Sequence, residues 1–231
     1  MLSYTFEVFG NDHVSSIILI ILIYVFLLRY NKHMGISNSS QIFPIFLSCF
    51  IVALDISEDI IRIITQHYSL REDLPLQLCN IGIYLSVIAL LKKNQTAFEL
   101  IFFWGLVGAS QAIITPDGDL FELKIFFIYS QAYHSTLIFI VLWLMVKNGM
   151  RMKIKSIPKI FLITNLVVIF IALINYSLDS NYMFLSARPN SVSPFLVGEW
   201  PVYIIMVQFF SIVVVTLFIK IQDLFLNSTN S

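Results

Sequence analysis

Asp55, Glu58, Asp59 and Arg62 stand close together in an otherwise apolar stretch that runs from Gln41 to Gln66. At about 100° per residue, Ser48, Asp55, Glu58, Asp59, Arg62 and Gln66 share one third of a helix circumference, and isoleucines and valines fill much of the rest. Acids and a guanidinium arranged in this way have two uses. They can form an ion network that locks helices together, or they can take part in catalysis or in binding and moving a proton or cation. His134 is the one histidine placed inside an apolar span, where a hydrogen-bonded imidazole can act as a base near neutral pH. Cys79, beside Asn80 at the opening of another span, is a small packing residue unless a base or a positive field stands near its thiol. Cys49 lies in the inner half of the striped stretch and is assigned to packing.

The elements that must position these groups are membrane helices. With 58% hydrophobic and 12% charged residues, the chain has too little polar surface to cover a soluble globule. Two cysteines without a Cys/His cluster suggest neither a disulfide scaffold nor a structural zinc site, and no metal is expected. Apolar stretches at about 14–30, 41–66, 74–92, 96–115, 120–146, 160–178 and 200–220 each approach or exceed the ~20 residues that cross ~30 Å of hydrocarbon. The expected fold is therefore all-α, a single integral membrane domain over 1–231 with seven transmembrane helices. Met1 to His13 lacks the basic start of a cleaved secretory signal, and Asn227 to Ser231 reads as a frayed tail.

Pro75 falls in the first turn of the third span, a position where a helix tolerates proline. Gly105, Gly108 and Ala109 in the fourth span let a neighbouring backbone approach closely. Thr115-Pro116-Asp117-Gly118 reads as a tight turn. Arg29, Lys32, Lys92, Lys93, Lys147, Arg151, Lys153, Lys155, Lys159 and Lys220 all collect on one side if the N-terminus is outside, which makes that side cytoplasmic. Asp55 to Gln66, Cys79, Gln111 and Thr115 then gather toward the outer leaflet, around a cavity open to the outside. In this reading Cys79 lies ~6–8 Å below the start of its helix, while Asp55 and His134 lie nearer mid-membrane.

Four stretches together carry a resemblance: Leu74-Pro-Leu-Gln-Leu-Cys79-Asn80; Trp104-Gly-Leu-Val-Gly-Ala-Ser-Gln-Ala-Ile-Ile-Thr-Pro116; Tyr133-His134; and Asn181-Tyr-Met-Phe-Leu-Ser-Ala-Arg-Pro189 with Glu199-Trp-Pro-Val-Tyr203. The chain resembles the YwaF-type bacterial integral membrane proteins, whose animal relative is transmembrane protein 164, over about residues 40 to 205. The resemblance implies a multi-helix membrane fold and an acyltransferase that moves fatty acyl groups between phospholipids without coenzyme A, using a cysteine and a histidine. By motif matching those roles fall on Cys79 and His134.

In the mechanism that follows from this resemblance, His134 raises the thiolate fraction of Cys79, which attacks an acyl ester, and an acid of the stripe, Asp55 or Asp59, orients the imidazole. Asn80 or Gln111 would donate to the oxyanion, Arg62 and Arg188 would hold the lipid phosphate, and Asn181 joins the substrate-binding group. The expected partners are phospholipids of the plasma membrane, with no bound cofactor and no nucleic acid. The competing reading is a proton- or cation-coupled transporter built on the acidic stripe, against which stands the lack of an inverted repeat. The topology has its own test. Lys153 and Lys155 should react with a membrane-impermeant amine reagent only from the cytoplasmic side, and labelling of either from outside intact cells would overturn the orientation.

Overall fold

The computed structural model describes residues 5–33, 41–118, 121–190 and 193–228, with side chains described for 5–27, 41–118, 121–190 and 193–224. Among these residues the regular structure is entirely helical. The helices are α1 (Asn11–His33), α2 (Ile42–Ile64), α3 (Leu78–Lys92), α4 (Gln95–Phe103), α5 (Ser110–Ile114), α6 (Lys124–Asn148), α7 (Ile157–Leu178) and α8 (Val202–Ser228). A π-helical turn, Trp104–Ala109, joins α4 to α5 without a break, so the two form one rod. Four rods are long and apolar enough to cross a membrane: 95–114, 124–148, 154–178 and 202–224. The apolar parts of α1 and α3 are shorter, and α2 carries the polar stripe.

Local chemistry sets the helix ends. Gly149 stops α6 in the left-handed conformation (φ 64°) that glycine adopts without a Cβ clash, and its N–H returns to the Leu144 carbonyl. Asn94 caps α4 by accepting from the Ala97 N–H, and Pro158 occupies the first turn of α7, where no N–H is needed. The third span differs from expectation. It begins at Leu78 rather than Leu74, leaving Pro75 in a loop whose Leu74 N–H donates to the Tyr182 hydroxyl at 2.9 Å. The start expected at 120 for the fifth span lies outside the described residues, and α6 begins at Lys124. The tail expected at 227–231 is described only to 228.

At the centre lie the α4–π–α5 rod and α6, whose Phe98, Ile101, Phe102, Leu137, Ile140 and Leu144 are sealed from the surface. Around them stand α1, α2 and α3, while α7 packs on α4 and α8 on the π turn. The outer helices turn long apolar side chains outward: Leu166, Phe170 and Leu173 on α7, and Ile205, Phe209 and Leu217 on α8, are each more than half exposed. Apolar surface of this extent has no stable home in water and suits contact with lipid chains.

The stripe on α2 faces inward. Asp55 accepts from Asn80 Nδ2 at 3.2 Å and Tyr84 Oη at 3.0 Å, both on α3. Arg62 pairs with Glu58 at 2.9 Å and Asp73 at 3.4 Å, and its guanidinium lies 4.1 Å from the centre of the Phe126 ring on α6. Ile56, Ile60, Ile63 and Ile64 fill the opposite, exposed face. His13 anchors α1: its Nδ1 accepts from the Phe9 N–H, so Nε2 carries the proton and donates to the Ile113 carbonyl at 2.7 Å. Replacing Arg62 with Leu leaves Glu58 and Asp73 without their cation. The expected loss is about 3 kcal/mol, read as a lower thermal midpoint in lipid nanodiscs, and an unchanged midpoint would mean the pairing is idle.

Candidate functional site

Because α3 begins at Leu78, Cys79 sits in its first turn rather than one turn down. The first N–H groups of a helix have no partner within it, and those of Leu78, Cys79 and Asn80 find no acceptor among the described residues. The thiol therefore stands at the N-terminal end of a fifteen-residue helix. Gln77, just before the helix, does not cap it; its Oε1 instead accepts from the Met183 N–H at 2.9 Å and ties the 181–189 loop to this point.

Across from Cys79 lies the π turn. Its Gly108 comes so close that a methyl group added there would stand 3.9 Å from the Cys79 sulfur. Wide π turns are frequent at functional sites, and this one leaves Cys79, Gly108 and Gln111 on the wall of one cavity of about 360 Å³. From α6, Ser130, Tyr133 and His134 add to the polar part of that wall, which also includes Gln77, Thr115, Asp117, Ser193 and Ser211. Phe184, Val207 and Phe210 supply much of the apolar part.

The histidine is buried and oriented. Its Nδ1 lies 2.8 Å from the Ser130 carbonyl, which can only accept, so Nδ1 carries the proton and Nε2 keeps its lone pair. The Tyr133 ring lies over the imidazole with centroids 3.9 Å apart. Nε2 has no hydrogen-bond partner among the described residues, and no hydrogen bond joins it to Cys79. The arrangement offers a base with an open lone pair and a thiol at a helix start on the wall of one space.

A second, almost wholly apolar cavity of about 240 Å³ adjoins the first. It lies between the π turn, α7, α8 and the 183–189 loop, and Val107, Gly108, Phe184 and Val207 line both spaces. Met183 and Phe184 adopt left-handed φ values of 57° and 53°, costly for side chains of this size, and the turn they make carries Phe184 into the shared wall. The conformation is held by Gln77 on Met183 and by the Tyr203 hydroxyl donating to the Phe184 carbonyl.

Other residues singled out in the sequence lie elsewhere. Asp55 and Asp59 are not on the cavity wall; Asp55 holds α3, and Asp59 is partly exposed at the α2 surface. Asn80 turns its amide to Asp55, away from the oxyanion position expected of it, because the next residue along a helix points about 100° away from Cys79. Gln111 is on the wall, and its Oε1 is approached by Thr115 Oγ1 at 3.4 Å and Ser193 Oγ at 3.5 Å. Arg62 is held at the end of α2, and Arg188 is exposed, donating to the Gly198 carbonyl at 3.3 Å. Asn181 folds its own loop, accepting from the Ser186 and Ala187 N–H groups and donating to the Ala187 carbonyl. Sequence reasoning missed Ser130 and Gln77. Ser130 acts through its backbone carbonyl, which any residue four positions before the histidine would supply, so its identity gives no signal for that contact.

Helices with apolar outer surfaces around a cavity that carries polar side chains define a helical integral membrane protein. The sequence model of the TMEM164 family matches residues 8–219, and the chain belongs to that family. No curated protein and no solved structure matches the chain. The wall geometry has a direct test in a Cys49→Ala background. Gly108→Leu should slow alkylation of Cys79 by N-ethylmaleimide by about tenfold or more, followed by mass spectrometry, because the leucine fills the space beside the sulfur. An unchanged rate would place the thiol on another surface.

Proposed function

We propose that this protein is a coenzyme-A-independent phospholipid transacylase, with Cys79 as nucleophile and His134 as base. The observation that carries the reading is that both side chains line one cavity while His134 holds Nε2 unprotonated. Nε2 removes the thiol proton, the thiolate adds to the ester carbonyl of a phospholipid, and the tetrahedral intermediate expels the lysolipid oxygen, which takes the proton back from His134. The acyl group remains on sulfur as a thioester. A hydroxyl of the acceptor lipid then reverses the sequence and restores the free thiol.

The developing oxyanion would take donors from the Cys79 N–H and the Gln111 side chain, each worth ~2.7–4 kcal/mol where such donors have been removed elsewhere. The adjoining apolar cavity suits the acyl chain, which would otherwise leave the bilayer for a polar site. Supporting this reading over a transporter, Asp55 and Glu58 are engaged with Asn80, Tyr84 and Arg62, and none of the stripe acids lines the cavity. We place the protein in the plasma membrane with seven spans and its N-terminus outside, so that the cavity opens at the outer leaflet. The clustering of Lys93, Arg151, Lys153 and Lys155 at the far end supports this orientation.

The test is acyl exchange between labelled diacyl and lyso phospholipids by the purified protein in vesicles. Cys79→Ala and His134→Ala should each lower exchange to background while the protein remains folded and inserted, and Cys49→Ala should retain it. Full exchange by Cys79→Ala would end the covalent reading.

A further inference from the structure

The end of the molecule opposite Cys79 holds a different kind of space, a cavity of about 630 Å³ walled by the α3–α4 turn and the segment from Asn148 to Ser156. Lys93, Arg151, Lys153 and Lys155 line it. Where the protein pairs cations with carboxylates it does so closely: Arg62 with Glu58, Arg71 with Asp179, Lys124 with Asp12 and Lys159 with Glu99, all within 3.3 Å. The four that line this cavity have no carboxylate within ion-pair distance among the described residues. The one acid on the wall cannot neutralise them. Glu99 is 3% exposed, and its oxygens are already engaged by Lys159 Nζ at 2.8 Å, Ser156 Oγ at 2.7 Å and Gln95 Nε2 at 3.0 Å.

We infer that this cavity binds the phosphate of an anionic phospholipid headgroup. Four cations converging on one polar space raise its potential and concentrate anions there. A guanidinium and three ammonium groups suit phosphate oxygens, Arg151 by its planar fork and the lysines as adjustable point charges. The rim selects the lipid-borne form of that phosphate over a soluble one. Ile154, between Lys153 and Lys155, is 56% exposed, and Leu91 and Val146 at the ends of α3 and α6 next to the cavity segments are 41% and 43% exposed, so apolar side chains are presented at the same end of the molecule. A headgroup seated among the cations would keep its acyl chains on that apolar rim. The inference does not depend on the transacylase reading, because none of these residues touches the Cys79 cavity.

The full-length protein in neutral detergent, probed by native mass spectrometry, provides the test. Phosphatidylglycerol should be retained and phosphatidylcholine should not, and inorganic phosphate at equal concentration should fail to displace the lipid. The triple variant Lys93→Gln/Arg151→Gln/Lys153→Gln should bind phosphatidylglycerol about 100-fold more weakly, the scale expected for three lost cations near an anionic lipid. Lys220→Gln, on α8 and not on the cavity wall, should bind as the native protein does. Lys153→Gln alone, at an exposed side chain, should give a smaller loss in the same direction and covers the case of a triple variant that fails to fold. Equal retention of both lipids, or native-strength binding by the foldable variants at the cavity, would overturn the site. Displacement by inorganic phosphate would overturn the lipid assignment.

Discussion

A carboxylate placed among apolar helices must find partners or leave the membrane, and Asp55 finds them in Asn80 and Tyr84. These two residues stand one turn apart on α3, so the bond pair fixes both the rotation and the depth of that helix against α2. Cys79 is the residue before Asn80. Its place on the cavity wall therefore depends on an acid that does not touch the cavity. The rest of the stripe extends the same constraint: Arg62 draws Asp73 and the loop after α2 toward Glu58, Tyr182 grips that loop at the Leu70 carbonyl and the Leu74 N–H, and Gln77 holds Met183.

This chain of polar contacts meets the apolar core at the π turn. There the backbone of the central rod widens between Trp104 and Ala109, with Trp104 Nε1 donating to Thr164 Oγ1 on α7 at 3.0 Å and Gly108 facing the Cys79 sulfur. A side chain larger than a methyl group at 108 would take the space beside the sulfur, since a Cβ there already reaches contact distance at 3.9 Å. On the other side, the Ser130 carbonyl sets the proton on Nδ1 of His134, and ring contact with Tyr133 limits its rotation. The site is thus positioned by three rods that are each held for a separate physical reason: buried charge for α3, a widened turn for the α4–α5 rod, and a helix carbonyl for the imidazole.

What is legible in the sequence is what acts over one helix turn. Composition and 3.6-residue periodicity give the helical membrane class and the inward stripe, since Asp55 and Arg62 share a face whatever they contact. The start of α3 is not legible, because Pro75 suits a first helical turn as well as a loop. The loop before it is held from far along the chain, by the Tyr182 hydroxyl on the Leu74 N–H, 108 residues apart in sequence. For the same reason adjacency misleads at Asn80, which follows the thiol in sequence but turns to α2. Asn181 and Arg188 belong to a distinctive motif whose role in the structure is to shape a loop and bring Phe184 to the cavity. The π turn leaves only its glycines as a trace.

The central claim is that Cys79 carries an acyl group between lipids. It is tested most directly by incubating the purified protein with a labelled diacyl phospholipid and mapping the adduct by peptide mass spectrometry. The account predicts a hydroxylamine-sensitive acyl group on the peptide containing Cys79, absent from the His134→Ala protein and discharged when a lysophospholipid is added. Folded protein that forms no adduct with a broad panel of phospholipids, or an adduct located on Cys49, would contradict it.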